Sequence, residues 1–207
     1  MCVVRFKKRK LMKNWTGNGN SIYKTLGASN HTSKEREQHD YYATDPKAAE
    51  LLLELENFDN ILEPACGEGH LSKVFIDKGL NVTSSDLINR GYGTEKSFFD
   101  YEEWNGDIIT NPPYKFAQDF VEHSLKITKD GCKIAMFLKL QFLESKGRKK
   151  LFVNTPPKTL YVTSSRLLCA KNADFEGMRK GGGSAVAYAW FVWEKGFKGS
   201  TKIEWFN

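Results

Sequence analysis

From residue 45 onward, short apolar runs alternate with stretches of helical period. Asp45-Pro46 offers an N-cap followed by Pro at the first helical position, which predicts a leucine-rich helix over Lys47–Glu56. Asn60-Ile61-Leu62 reads as a short strand running into a glycine-containing turn, Glu63–Gly69. The helix after it puts Leu71, Val74, Phe75 and Ile76 on a buried face and stops at Gly79. Strands are expected at Asn81–Ser85, ending at Asp86, and at Asp107–Thr110, ending at Asn111-Pro112-Pro113-Tyr114. A helix over Lys115–Thr128 carries Phe116, Phe120, Val121 and Leu125 on one side. Cys132–Lys139 is an apolar strand and Leu143–Phe152 a helix. Thr159–Thr163 and Ala185–Trp193 are further strands, the second with Trp190 and Trp193 in the core. Strands alternating with helices predict an α/β fold, a mostly parallel sheet with helices on both faces. Residues 12–38 are rich in Asn, Gly, Ser, Thr and Lys without periodicity and read as extended or disordered.

Composition narrows the class. The 207 residues suit one domain, and 40% apolar with 27% charged residues describes a globular chain. The longest apolar run, Ala185–Trp193, is half of what a membrane helix needs, and the basic N-terminus lacks the apolar stretch of a secretory signal. Cys2, Cys66, Cys132 and Cys169 form no CxxC pair and His31, His39, His70 and His123 show no ligand spacing. A reducing cytoplasm and no metal are therefore expected. The net charge of +6 is uneven. Residues 1–38 hold nine Lys or Arg against two Glu, and the other 169 residues carry 22 positive and 23 negative side chains. A basic arm over 1–38, before a domain over 39–207, is suited to a polyanion; a solvated leader, with Met12 as the start, is the alternative.

Two loops carry the chemistry. In Glu63–Gly69 a strand ends, glycines allow a tight turn and a helix begins, the place where doubly wound folds bind ligands. A third dinucleotide-type glycine is missing, since Ser72 stands there. Glu63 would repel a pyrophosphate but attract an ammonium or a sulfonium. Asp86, at the end of the next strand, is placed to accept hydrogen bonds from ribose hydroxyls. Together these favour S-adenosylmethionine. In Asn111-Pro112-Pro113-Tyr114 the prolines stiffen the loop, so the Asn111 side chain and the Pro112 carbonyl present acceptors to an NH₂ group. Tyr114 offers a flat face for a planar substrate, with help from Phe116. Cys66 reads as small and buried.

The pairing of Glu63-Pro64-Ala65-Cys66-Gly67-Glu68-Gly69 with Asn111-Pro112-Pro113-Tyr114 resembles the S-adenosylmethionine-dependent adenine methyltransferases of DNA. His39–Pro46 looks like the segment that precedes the cofactor loop there. Thr25–His31, Asp40–Pro46 and Asp107–Tyr114 resemble the small enzymes of phages and prophages, and the likeness runs from Trp15 through Trp193. It implies a Rossmann-like methyltransferase fold with a seven-stranded, mostly parallel sheet. It implies a cofactor pocket of Tyr42, Thr44, Pro46, Glu63, Pro64, Ala65, Cys66, Gly67, Gly69, Asp86, Leu87 and Asn111. The adenine-contacting Asp-Phe pair of that family falls in Ser97-Phe98-Phe99-Asp100, with Phe98 and either Ser97 or Asp100 at the contact.

The implied reaction is methyl transfer to the N6 amino group of adenine in DNA, with Asn111, Pro112, Pro113 and Tyr114 as the catalytic loop. The base must be flipped out or single-stranded. Lys146, Arg148, Lys149, Lys150, Arg166, Arg179 and Lys180 are candidate phosphate contacts, with a solvated face as the plainer reading of the 146–150 run. The core takes up residues from His39 to about Lys195, which leaves little room for target recognition. Short or relaxed specificity is expected, or a homodimer or accessory specificity subunit. RNA adenine, a protein glutamine amide, and a non-catalytic nucleic-acid-binding protein of this fold are the alternatives. The expected location is the cytoplasm of a bacterial host or phage-infected cell.

Overall fold

The computed structural model describes residues 42–171, 173, 175–180 and 186–206; of Lys171, Met178 and Arg179 it describes the backbone only. The proposed arm over 1–38 therefore lies outside the described residues. In chain order the elements are β1 (Tyr42–Thr44), α1 (Pro46–Leu55), β2 (Ile61–Glu63), α2 (His70–Asp77), β3 (Val82–Asp86), β4 (Thr94–Glu95), β5 (Ile108–Thr110) and α3 (Ala117–Ile127). There follow β6 (Lys133–Lys139), α4 (Lys149–Asn154), β7 (Thr159–Thr163), β8 (Cys169–Lys171), α5 (Phe175–Lys180), β9 (Tyr188–Glu194) and β10 (Lys202–Phe206).

The main sheet has eight strands in the order β10-β7-β9-β6-β5-β2-β3-β4, one more than the seven expected. Thr94–Glu95 is a two-residue edge pairing with no apolar pattern to announce it, and β10 alternates exposed apolar with charged residues. All pairings in the sheet are parallel except those of β9, which runs antiparallel to both β6 and β7. From β2, the chain adds β3 and β4 on one side and β5 and β6 on the other. The reversal between β2 and β5 opens a crevice at the strand ends, where such folds bind ligands.

Both faces of the sheet are buried. Along β9, Tyr188, Trp190 and Val192 pack on the α1/α2 side with Leu52 and Phe75, while Phe191 and Trp193 pack on the α3 side with Phe120 and Val121. The period of two sends Trp190 and Trp193, three residues apart, to opposite layers. Each indole N–H finds a carbonyl, Ala48 at 2.9 Å and Thr155 at 3.0 Å. At α1 the expected cap is present: the Asp45 carboxylate accepts from the Lys47 N–H at 3.1 Å, and Pro46 is the first helical residue.

Three local expectations are corrected. Ile76 is 49% exposed, because α2 buries Leu71, Ser72 and Phe75 instead. Phe116 lies in a 3-10 turn (Tyr114–Phe116) ahead of α3, and is 44% exposed. The helix expected over Leu143–Phe152 is broken into a 3-10 turn (Leu140–Leu143) and the short α4, separated by Glu144–Arg148. Strands β1 and β8 stand outside the main sheet and pair antiparallel, Tyr42 opposite Lys171 and Thr44 opposite Cys169.

Candidate active site

Strand β2 delivers Glu63 to the crevice almost wholly buried, at 2% exposure. Its carboxylate accepts a hydrogen bond from the Ser72 hydroxyl, which lies 2.6 Å from the Ser84 hydroxyl. Ser72, noted in the sequence only as a missing glycine, is thus a partner of the strand-end acid. Burial pushes the Glu63 carboxyl up to about 8; Ser72 works against that shift and the nearby Asp86 charge adds to it. At neutral pH Glu63 is therefore mostly a neutral carboxyl, which a neighbouring cation would ionise.

The turn after it needs its glycines. Gly67 and Gly69 have φ of +54° and +80°, and a Cβ on Gly69 would lie 2.5 Å from the Tyr92 ring. Asp86 clamps the turn to β3: Oδ2 accepts from the Gly67 N–H at 2.9 Å, and Oδ1 from the Ile88 N–H at 3.0 Å. Each oxygen keeps a lone-pair site for a further donor. The Cys66 thiol is buried against the Gly67 and Tyr92 carbonyls, and burial pushes it up to about 12, so it is no nucleophile.

Asn111 follows directly on β5. Its Nδ2 donates to the Thr44 hydroxyl at 2.8 Å and to the Tyr42 carbonyl at 3.2 Å, with the Cys169 sulfur at 3.7 Å. A carbonyl only accepts, so the amide must turn its NH₂ toward β1. Asn111 Oδ1 is then left buried with no partner among the described residues. Tyr114 bonds the Tyr188 hydroxyl at 2.9 Å and packs 5.6 Å from the Tyr42 ring, with the Lys139 ammonium 4.1 Å from its centroid. Burial holds its phenol well above the ordinary tyrosine range.

These loops line one cavity of about 740 Å³. Tyr42, Thr44, Glu63, Pro64, Ala65, Cys66, Asp86, Leu87 and Phe98 face it, as do Asn111, Pro112, Pro113 and Tyr114. Pro46, Gly67 and Gly69 do not line it; they shape the helix start and the turn. Asp100 does not line it either; it is the exposed last residue of the 3-10 turn Phe98–Asp100. Ser97 does, and its hydroxyl accepts from the Phe99 N–H at 3.2 Å. The sequence reading missed His70, Arg90 and Phe99 in the lining, and Phe120, which it had placed only in the core. Phe120 packs tilted against Phe98 at 4.7 Å and meets Phe99 edge-on at 5.4 Å, forming an aromatic wall. Arg90 and Phe99 lie outside the α-helices and strands, where no hydrophobic period can show them; His70 opens α2, and Phe120 is a core residue of α3 whose ring also reaches the cavity.

Among the basic candidates, Arg148 has a different task. Its guanidinium donates to the carbonyls of Phe142 (2.7 Å), Gln141 (3.3 Å) and Glu144 (3.1 Å), and lies over the Phe142 ring at 4.6 Å. Lys146, Lys149, Lys150 and Arg166 are exposed, and Lys180 pairs with Glu176 at 3.5 Å on α5. None of these lines the cavity, whereas Lys115 does. The Arg179 side chain lies outside the described residues.

No protein-family model matches the chain, and no curated protein matches it significantly. Solved structures do. The chain has the Rossmann-like methyltransferase fold. It superposes on a candidate class I S-adenosylmethionine-dependent methyltransferase from Listeria monocytogenes with a TM-score of 0.54 at 14% identity, covering 89% of this chain and 71% of that one. A candidate RNA methyltransferase from Pyrococcus horikoshii gives 0.53 at 12% identity, over 86% and 99%. The type IIG restriction endonuclease BpuSI gives 0.53 at 14% identity over 78% of this chain, which spans only 26% of that larger protein. Among the described residues no helix is long and apolar enough to cross a membrane.

Proposed function

We propose that the chain methylates the N6 amino group of adenine in DNA with S-adenosylmethionine. The observation that carries the reading is the amide of Asn111: its NH₂ is spent on β1, and its oxygen is a buried acceptor without a donor among the described residues. An unmatched buried acceptor costs about 1–3 kcal/mol, which a substrate amino group would recover. The cavity suits the cofactor. Asp86 would take the ribose hydroxyls, Glu63 the ammonium, and Leu87, Phe98 and Phe99 the adenine ring. When bound, S-adenosylmethionine supplies an electrophilic methyl group on a sulfonium. The chain's own part is to hold and polarise the nucleophile. Acceptance of the amino protons by Asn111 Oδ1 and the Pro112 carbonyl favours a pyramidal nitrogen and stabilises the positive charge developing on it. Tyr114, fixed by Tyr188 and Tyr42, supports the planar ring.

The fold likeness to a restriction endonuclease and to a candidate RNA methyltransferase supports a nucleic acid as the carrier of that amino group. In this reading residues 39–207 are the methyltransferase domain, and the basic residues 1–38 gather phosphate. The test is methyl transfer from labelled S-adenosylmethionine to unmethylated duplex DNA, its single strands, RNA and protein in parallel, with products digested to nucleosides. N6-methyladenine from DNA is the expected product. Label confined to RNA or protein would overturn the substrate, and no label at all would overturn the activity. Asn111→Ala is expected to lower kcat by roughly 10²–10³-fold, the usual cost of one preorganised group at a developing charge.

A further inference from the structure

Asn111 is not oriented by its own loop. Both donors of its amide are held by β1, which lies 67 and 69 positions away in sequence. The contact at 2.8 Å is to the Thr44 hydroxyl, and Thr44 is itself 3% exposed. Strand β1 is held in its turn by β8. It pairs with β8, Thr44 opposite Cys169, and the Asp45 N–H donates to the Leu168 carbonyl at 2.9 Å. The Cys169 sulfur lies 3.7 Å from the same Asn111 nitrogen, so β8 backs the clamp from behind. An asparagine amide is nearly symmetric in shape. Only its hydrogen-bond partners decide which end is oxygen. The Tyr42 carbonyl excludes one orientation by lone-pair repulsion, and the Thr44 hydroxyl fills the second donor position.

We propose that Thr44 is the positioning residue of this site. With the Tyr42 carbonyl it locks the Asn111 amide so that Oδ1 is the acceptor presented to the target amino group. The inference rests on the proposed reaction and assigns Thr44 a task other than cofactor contact. Thr44→Val keeps the shape and removes the hydroxyl; Thr44→Ser keeps the hydroxyl.

The experiment uses the full chain labelled with ¹⁵N. The side-chain amide signals of Asn111, identified by their loss in Asn111→Asp, are expected to exchange with solvent at least about tenfold more slowly than exposed Asn amides. That protection should vanish in Thr44→Val and persist in Thr44→Ser. In parallel, Thr44→Val should lose kcat by roughly a hundredfold, the scale of a small misplacement of a reacting group. Its calorimetric Kd for S-adenosylmethionine should stay within about twofold, and Thr44→Ser should recover most of kcat. An unprotected Asn111 amide in the wild-type chain overturns the proposal without any variant. So does a Thr44→Val chain that keeps kcat and loses cofactor affinity, which would make Thr44 a cofactor contact. Should wild-type protein methylate no adenine, the functional reading fails, while the amide exchange still decides what Thr44 does.

Discussion

At the scale of single residues, the site depends on how two polar side chains are satisfied. Glu63 is the more sensitive to pH. Its carboxyl sits at about 8 in the folded chain, above the ordinary 4.5, so the fold prefers it protonated. The stability it contributes is present below the unfolded pKa and is lost as pH rises from about 4.5 through 8. Glu63→Gln is expected to flatten the pH dependence of the melting temperature across that window, read by calorimetry in the absence of cofactor. Binding a cationic ligand beside Glu63 should also release close to one proton at neutral pH. Titrations in two buffers of different ionisation enthalpy would show it, and Glu63→Gln should abolish it. A wild-type chain that releases no proton would mean that the cation sits elsewhere.

At the scale of elements, turns decide more than helices. The 3-10 segment before α4 holds its shape through Arg148, whose donors go to three carbonyls of residues 141–144. Arg148→Ala should therefore destabilise the chain by about 1–3 kcal/mol in denaturant titrations. Lys149→Ala and Lys150→Ala, at exposed positions, should leave stability within about 0.5 kcal/mol. If DNA affinity falls for the two lysine variants at unchanged stability, α4 is a phosphate-contacting element; if it does not, its charges are only a solvated face. The turn over Glu63–Gly69 answers to backbone conformation. Gly69→Ala places a Cβ against Tyr92 at φ +80°, and cofactor binding should be lost. Adding Tyr92→Ala should recover only part of it, because the left-handed conformation still costs roughly 1–2 kcal/mol. The main strands and helices were legible because apolar period and caps act within a few residues. β4 and β8 were not: two or three residues without alternation form strands only because a partner is there to bond them.

For the whole molecule, the proposed role of the basic residues 1–38 can be tested through their charge. Replacing Arg5, Lys7, Lys8, Arg9 and Lys10 by Gln in the full chain should shallow the salt dependence of DNA binding. Each lost phosphate contact removes about 0.9 from the slope of log K against log salt. A slope identical to wild type would show that the arm does not touch DNA.

The sequence by itself determined the α/β class, the glycine turn after β2, and the Asn-Pro-Pro-Tyr loop after β5. Glycine, proline and hydrophobic period act over short distances and need no distant partner to be read. The tertiary structure alone decided that Ser72 bonds Glu63, that Ser97 rather than Asp100 meets the cavity, and that Arg148 braces a turn. It alone set the direction of the Asn111 amide, whose partners lie on a strand nearly seventy residues earlier, backed by one nearly sixty residues later. Hydrogen-bond satisfaction in a buried site is a property of packing, and packing brings together positions between which the chain's local pattern carries no signal.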